Sequence, residues 1–237
     1  MTNFYTTIAK YYDDIFPIGE AQLKLIQECA KEPPKNILDV ACGSGRYAKH
    51  LSDMGYNVTA IDLDALMIQS LKEKDRKIDS RVLNMLDIHE LPGTFDVIFC
   101  IGNSLVHLSS LDEMEDFLTS CRSKLKPEGK LILQIINYDR ILDKGVRQLP
   151  PIHNPEKQLT FERYYDYSPE RHSVDFKTIL SVDGMVLENH VALYPLRSDE
   201  LKALLDATGF KNIAFYGSFR KDAYVPAESY ALVVVAQ

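Results

Sequence analysis

The sequence predicts an α/β fold in which helices cover both faces of a doubly wound, mostly parallel, seven-stranded sheet. Between residues 36 and 138, short and nearly continuous apolar runs alternate with segments of helical periodicity, which is typical of buried parallel strands. After an interruption, one more helix and two closing strands follow. The chain has 237 residues, of which 46% are hydrophobic, so we expect a single domain with a large core over residues 1–237.

Five strands and three helices account for the alternating part. The predicted strands cover residues 36–42, 57–63, 81–86, 95–101 and 130–138. The predicted helices between them cover residues 46–54, 64–74 and 111–125. Two more helices, at 3–16 and 20–31, precede the first strand. These two helices make up the leading region, residues 1–32.

The interruption, residues 145–195, is predicted to be an antiparallel β insertion that follows the fifth strand and acts as a lid. Its beginning is rich in proline and is predicted to be irregular. Three alternating segments follow, at 159–167, 172–182 and 185–194, and Asp183-Gly184 is a strong hairpin signal between the last two. We therefore expect three strands in the insertion, which is the candidate specificity element. Strand alternation is equally consistent with a role in oligomerisation.

The chain then returns to the main sheet. Ser198 is the predicted N-cap of a helix that ends near Gly209. Two closing strands are predicted at 211–219 and 229–236. The loop between them has no room for a crossover helix, so they should pair antiparallel.

Composition narrows the possible partners. The net charge is −7 and no dense run of lysine and arginine occurs, which disfavours nucleic acid. No apolar run approaches the roughly 20 residues that span a bilayer, and the N-terminus lacks a secretory pattern. The four cysteines are scattered without metal-ligand spacing, so we predict reduced thiols, a cytoplasmic protein and no metal site. A small-molecule substrate is expected, with monomer and homodimer both open.

A glycine-rich turn joins the first predicted strand to its helix, in Asp39-Val40-Ala41-Cys42-Gly43-Ser44-Gly45. Glycine allows a tight turn and a close approach of the backbone to a ligand, and the helix N-terminus adds unpaired N–H donors. The turn alone is ambiguous, because Gly43-x-Gly45-x-x-Ala48 also fits the dinucleotide fingerprint.

Three carboxylates lie at the ends of successive predicted strands, and their positions favour S-adenosylmethionine as the ligand. Asp39 would oppose a pyrophosphate but suits the ammonium of S-adenosylmethionine, although it could instead stabilise the turn. Asp62 is placed to accept hydrogen bonds from both hydroxyls of an adenosine ribose. Asp87, predicted to end the third strand, could accept from the adenine amino group, although a surface turn residue is an equal alternative.

Taken together, these residues resemble the class I S-adenosylmethionine-dependent methyltransferases, which have a Rossmann-like fold. The antiparallel closing pair also matches that fold. The resemblance implies that the cofactor is S-adenosylmethionine, with S-adenosylhomocysteine as its product. It also implies that the leading region, residues 1–32, folds over the cofactor. The implied cofactor-binding residues are Tyr12, Asp39, Ala41, Gly43, Gly45, Asp62, Leu63, Asp87, Ile88 and Ile101.

Three later stretches resemble the glycine N-methyltransferase group: Gly102-Asn103-Ser104-Leu105-Val106-His107-Leu108, Asn137-Tyr138-Asp139, and Ala223-Tyr224-Val225-Pro226. By this resemblance Asn103 holds the substrate and Tyr224 lies near the reacting centre. Where the glycine enzymes have an arginine for the substrate carboxylate, this chain has Ile136, which cannot form that ion pair. The resemblance therefore favours a substrate with less negative charge, or one held by Arg140 or Arg147.

Two further site assignments keep an alternative. His107 is a candidate general base, but a histidine in this apolar context is also typical of packing or capping. The rings of Tyr11 and Tyr12 could contact the cofactor's sulfonium by cation–π attraction, or could pack the N-terminal helix.

The expected reaction is in-line methyl transfer, with an amine nitrogen as the first choice of acceptor and the oxygen of a small metabolite as the alternative. A neutral amine needs alignment more than a strong base. Two readings lie outside this class: an NAD(P)-dependent oxidoreductase and a non-catalytic cofactor-binding protein. The chain has no Tyr-x-x-x-Lys, the proton relay of many small dehydrogenases, which counts against the first.

Overall fold

A computed structural model describes Ile8 and residues 11–237. Most of the predicted helix at 3–16 lies outside these residues, and its described part, α1, covers Tyr12–Ile15. The other helices are α2 (Glu20–Ala30), α3 (Arg46–Asp53), α4 (Ala65–Lys74), α5 (Leu111–Lys124), α6 (Tyr138–Asp143) and α7 (Ser198–Ala207). The strands are β1 (Asn36–Val40), β2 (Asn57–Asp62), β3 (Asp79–Val82), β4 (Phe95–Cys100), β5 (Leu125–Ile136), β6 (Gln148–Asn154), β7 (Leu159–Ser168), β8 (Ser173–Val182), β9 (Met185–Leu193), β10 (Ala214–Tyr216) and β11 (Ala231–Ala236).

The main sheet has seven strands in the order β10-β11-β5-β4-β1-β2-β3. Strand β1 pairs in parallel with both β2 and β4, whereas β11 is antiparallel to β5 and β10. The predicted fold class is therefore confirmed. Because the strand order reverses between β1 and β4, a crevice opens at their carboxyl ends, where open α/β sheets bind ligands.

Alternation along β4 shows why helices are needed on both faces. Val97 and Phe99 pack with α2 and α3 on one face, and Ile98 and Cys100 pack with α5 and α7 on the other. All four side chains are fully buried. The four cysteines are free thiols, of which three are buried and Cys42 is half-buried, as the scattered spacing predicted.

The insertion is a separate antiparallel sheet of four strands, β6-β7-β8-β9, rather than three. The proline-rich segment that was predicted to be irregular forms β6. Its register shifts between Leu149 and Ile152, at Pro150 and Pro151. Proline donates no ladder hydrogen bond, so it is tolerated at a bulge on an edge strand. The Asp183-Gly184 hairpin is confirmed, with both residues at positive φ (52° and 74°).

Three predicted boundaries were wrong for local reasons. Strand β3 ends at Val82, because the Asn84 side chain accepts from the N–H of Leu86 and starts a 3₁₀ helix, Met85–Glu90, that contains Asp87. The N-cap of helix α7 lies one residue before the predicted Ser198: Arg197 is the N-cap, and its N–H donates to Glu200. Strand β10 is only three residues long.

Candidate active site

The glycine-rich turn after β1 forms a left-handed loop. Ala41, Gly43 and Gly45 have φ of 57°, 54° and 74°. The N–H of Cys42 donates to the carbonyl of Ile61, at 2.9 Å, which holds the loop against β2. A Cβ on Gly43 would lie 2.9 Å from the hydroxyl of Tyr12, so glycine is required by space as well as by conformation.

Asp62, at the end of β2, supports this loop. Its Oδ2 accepts from the N–H of Gly43 at 2.7 Å, and its Oδ1 accepts from the N–H of Asp64 at 2.9 Å. Burial raises the pKa of Asp62, and the two backbone donors oppose that rise. Each carboxylate oxygen can accept a second hydrogen bond, which leaves capacity for a ligand's hydroxyls. Asp64 is the N-cap of α4, and its side chain accepts from the N–H groups of Leu66 and Met67.

Asp39 is a buried carboxylate without a complete set of partners. Its side chain is 3% exposed, and Oδ2 has no hydrogen-bond partner among the described residues. Burial and the nearby charge of Asp62 raise the pKa of Asp39 well above its usual range, and the N–H of Ala48 opposes them. Such a group is costly unless a donor reaches it, and the ammonium of S-adenosylmethionine is a suitable donor. The residues of this pocket therefore fit the cofactor.

The remaining predicted cofactor residues also follow the carboxyl ends of the parallel strands, but their side chains differ in exposure. Leu63 is 51% exposed immediately after Asp62, so an apolar surface is open to a ligand there. Asp87 is half-buried and belongs to the 3₁₀ helix rather than to β3. Ile88 is fully buried in the core, which leaves only its backbone for a ligand. Ile101 is half-buried after β4.

Helix α1 covers the glycine-rich loop. The ring of Tyr12 lies against Gly43, and Tyr11 donates to Asp183 of the insertion hairpin at 3.0 Å. Asp13 was not predicted as a site residue, but it accepts a hydrogen bond from the Ser44 hydroxyl. It also pairs with Lys74 at 3.0 Å and with Arg46 at 3.9 Å. Its position next to Tyr12 on the predicted covering helix was the available signal.

On the other side of the crevice, Asn103 connects the loop after β4 to the end of β5. Its backbone is left-handed, with φ of 69°. Its Oδ1 accepts from the N–H of Ile136 at 2.9 Å, and its Nδ2 donates to the hydroxyl of Tyr138 at 3.4 Å. The side chain predicted to hold the substrate is therefore itself held in place by β5.

Tyr224 reaches the same end of β5 from the loop between β10 and β11. Its hydroxyl lies 2.8 Å from Oδ1 of Asn137 and 2.7 Å from Oδ2 of Asp139. Burial and the bond to Asp139 raise the pKa of Tyr224. Asp139 also meets Arg197, at 3.3 Å, where the insertion returns to the main fold. Arg197 was not predicted, because no local pattern connects it with residues almost 60 positions earlier.

His107 lies four residues after Asn103, in the 3₁₀ helix Leu105–His107, and its side chain is exposed. The surrounding chain partly desolvates its imidazole and lowers its pKa, so the ring is neutral near pH 7. The carbonyl of the preceding Val106 accepts from the N–H of Tyr194, at 2.9 Å, which ties the end of the insertion to this loop.

Two features, a metal-binding cluster and a membrane-spanning helix, are absent from the residues that the structure describes. Within Ile8 and residues 11–237, no cluster of three histidine, cysteine or carboxylate side chains is arranged to hold a metal ion. No helix in these residues combines the length and apolarity that crossing a membrane requires.

Comparison with known proteins identifies the family. A model of the methyltransferase domain matches residues 37–129. A glycine/sarcosine N-methyltransferase from Halorhodospira halochloris is 33% identical over 222 residues, which is 90% of this chain and 78% of that protein. A glycine/sarcosine N-methyltransferase from Aphanothece halophytica is 29% identical over 86% of this chain and 75% of its own length.

Among solved structures, a S-adenosylmethionine-dependent methyltransferase from Clostridium acetobutylicum superposes with a TM-score of 0.81 at 16% identity, and covers 98% of both chains. This likeness supports the fold. The family is shown by the glycine/sarcosine N-methyltransferase from Halorhodospira halochloris, which matches 90% of this chain. The chain therefore belongs to the S-adenosylmethionine-dependent methyltransferase family.

Proposed function

We propose that this protein transfers the methyl group of S-adenosylmethionine to the nitrogen of a small-molecule amine by in-line displacement. The observation that carries the proposal is the likeness to a glycine/sarcosine N-methyltransferase over 90% of the chain. Because the chain belongs to a methyltransferase family, this proposal takes the place of the NAD(P)-dependent oxidoreductase that the sequence had left as an alternative.

The cofactor supplies a methyl group already activated on a cationic sulfonium. In the proposal, Asp39 receives the ammonium and Asp62 the ribose hydroxyls, whereas Leu63, Asp87 and the backbone of Ile88 meet the adenine. The left-handed backbone of Ala41, Gly43 and Gly45 lets the ligand approach closely. Tyr12 and Ile101 are proposed to contact the cofactor from the two sides of this loop. The charges are complementary: a cationic ligand would offset the uncompensated carboxylate of Asp39.

Asn103 and Tyr224 are the proposed acceptor-side residues, with His107 as a further candidate. Both side chains are held by the end of β5, so they are pre-positioned before a substrate enters. The main contribution of the protein is alignment, which can be worth on the order of 7–11 kcal/mol. A neutral amine needs no strong base. The lowered pKa of His107 leaves it able to accept a proton near pH 7.

The acceptor is proposed to carry less negative charge than glycine, or to be held by another cation. Ile136 is 7% exposed, and its N–H is already bonded to Asn103. It offers no charge to a carboxylate. Arg147 is exposed and Arg140 half-buried near the start of the insertion, and these are the alternative cations.

The insertion at 145–195 is proposed as the lid and specificity element, and the leading region, residues 1–32, as the cover of the cofactor. We propose that the substrate is a small molecule and not a nucleic acid. We also propose that the protein is cytoplasmic and is a monomer or a homodimer. The acidic composition supports the substrate class.

The test is methyl transfer from isotopically labelled S-adenosylmethionine to paired amines and alcohols of equal size, followed by mass spectrometry. Glycine and sarcosine belong in the panel, beside amines without a carboxylate. Label on the amines is the expected result. Label on the alcohols alone would establish O-methylation instead. Binding of S-adenosylhomocysteine without product from any acceptor would establish a non-catalytic cofactor-binding protein.

A further inference from the structure

We infer that Asn137 and Asp139 are positioning residues that force the Tyr224 hydroxyl to donate its proton into the protein, so that its oxygen accepts an N–H of the methyl acceptor. This inference rests on the proposed function for the placement of Tyr224 beside the reacting nitrogen. It adds the chemical role of that tyrosine and the two side chains that impose it.

The orientation of the Asn137 amide is fixed by its surroundings. Its side chain is buried, and Nδ2 lies 2.8 Å from two backbone carbonyls, those of Pro226 and Ser229. Carbonyl oxygens only accept, so the NH₂ group must face them. The atom that meets the Tyr224 hydroxyl at 2.8 Å is therefore Oδ1, which can only accept.

Asp139 is held as an acceptor as well. This carboxylate is 5% exposed and faces Arg197 Nη1 and the N–H of Ser198, both at 3.3 Å. A guanidinium and a backbone N–H are donors only, so the carboxylate oxygens of Asp139 face them as acceptors. Its Oδ2 lies 2.7 Å from the Tyr224 hydroxyl. Both close partners of this hydroxyl are thus acceptors.

A phenol has one proton, and two acceptors already share it on the protein side. The oxygen therefore faces any further group as an acceptor. The Ser198 side chain also bonds to Tyr224 and lowers its pKa, whereas burial and Asp139 raise it more strongly, so the phenol stays protonated. Tyr224 is half-buried, unlike Asn137 and Asp139. It is the member of this network that a ligand can reach.

This arrangement suits a nitrogen that becomes positively charged during the reaction. The lone pair of a neutral amine forms the new N–C bond, the C–S bond breaks with its electron pair going to sulfur, and the resulting ammonium loses a proton to water. An N–H that points at the Tyr224 oxygen becomes a stronger donor as charge develops on nitrogen. The contact is therefore stronger in the transition state than in the ground state. A tertiary amine has no N–H and cannot make it.

The test compares Tyr224→Phe with Tyr56→Phe. Tyr56 also forms a 2.8 Å hydrogen bond, to the carbonyl of Lys31. It precedes β2 and therefore lies at the amino ends of the parallel strands, away from the candidate site at their carboxyl ends. With a secondary amine, Tyr224→Phe should lower kcat/KM about 10- to 100-fold, the range for a hydrogen bond to a charged group. With the matching tertiary amine it should change kcat/KM by less than about 3-fold. Tyr56→Phe should alter neither substrate selectively.

A second variant and a binding measurement separate orientation from packing. Asp139→Asn replaces an obligate acceptor by a group that can also donate, and should reduce the preference for the secondary amine in the same way. Calorimetry on the complex with S-adenosylhomocysteine should show weaker binding of the secondary amine to Tyr224→Phe, at unchanged affinity for S-adenosylhomocysteine. Equal losses on both amines, or an unchanged ratio between them, would overturn the inference. Absence of turnover of every amine by the unmodified protein would instead refute the proposed function.

Discussion

The two sides of the crevice are built in different ways. The proposed cofactor side, formed by residues 39–88 and α1, depends on backbone conformation: left-handed residues in the loop, and N–H groups that bond to Asp62 from Gly43 and Asp64. The proposed acceptor side depends on side chains that meet across long stretches of sequence, such as Tyr224 with Asn137, 87 positions apart. The cofactor side should therefore be most sensitive to added bulk, and the acceptor side to changes of hydrogen-bonding character.

Gly43→Ala should have the largest effect. The new Cβ would lie 2.9 Å from the Tyr12 hydroxyl. It would fill the space through which the cofactor is proposed to approach the backbone. Strain and overpacking each cost about 1–3 kcal/mol, so affinity for S-adenosylhomocysteine should fall about 100-fold by calorimetry. Gly93→Ala is the matched control, because Gly93 has φ of 75° and open space around its Cβ position. An equal loss of affinity in the control would mean that strain alone, and not access, explains the result.

Asp39→Asn should have opposite effects on stability and on binding. A raised pKa in the folded state means that folding favours the protonated carboxyl, so stability of the ligand-free protein falls as pH rises above the usual aspartate range. The neutral amide removes this cost, and at pH 7 the variant should melt about 2–4 °C higher, equivalent to about 1 kcal/mol. Its affinity for the cofactor should fall about 10-fold.

Thermal melts between pH 5 and 8, with and without S-adenosylhomocysteine, check this prediction. The difference in melting temperature between Asp39→Asn and the unmodified protein should shrink towards the acid end of that range. A lower melting temperature with unchanged affinity would show that Asp39 stabilises the turn and does not bind the ammonium.

Asp13→Asn should have the smallest effect. The side chain of Asp13 is 40% exposed, and exposed ion pairs contribute about 0.2–1 kcal/mol. Loss of the pairs with Lys74 and Arg46 should loosen α1 on the loop and weaken S-adenosylhomocysteine binding about 2- to 5-fold. Repeating the titration at high salt should remove most of the difference between the two proteins. A difference that persists at high salt would contradict an electrostatic role.

The same contrast explains what the sequence could predict. Local patterns place four predicted site residues at or just after the carboxyl ends of β1 and β2, and therefore close together in a parallel sheet: Asp39, Gly43, Gly45 and Asp62. The fold class followed from the same alternation. The bond between Asp139 and Arg197 could not be predicted, because it joins residues 58 positions apart and has no periodic signature.

Two other predictions, for β6 and for the segment after β3, were wrong because a local feature opposed the residue pattern. Proline usually interrupts a strand, yet Pro150 and Pro151 lie at a bulge on the edge strand β6. Asp87 follows an apolar run that reads as strand, but the side-chain cap of Asn84 turns that run into a 3₁₀ helix. At β6 the bulge accommodates the prolines, whereas after β3 a single side-chain hydrogen bond outweighed the apolar pattern.

The separation of the two sides can be tested with one pair of variants, Asp62→Asn and Asn103→Gly. Glycine tolerates the φ of 69° at position 103, so the second change removes the side chain without backbone strain. S-adenosylhomocysteine affinity and methyl transfer would be measured on the same preparations. We predict that Asp62→Asn weakens binding about 10-fold or more, whereas Asn103→Gly lowers kcat about 100-fold with affinity within about 3-fold. Equal loss of binding and turnover in both variants would contradict a crevice with separate cofactor and acceptor sides.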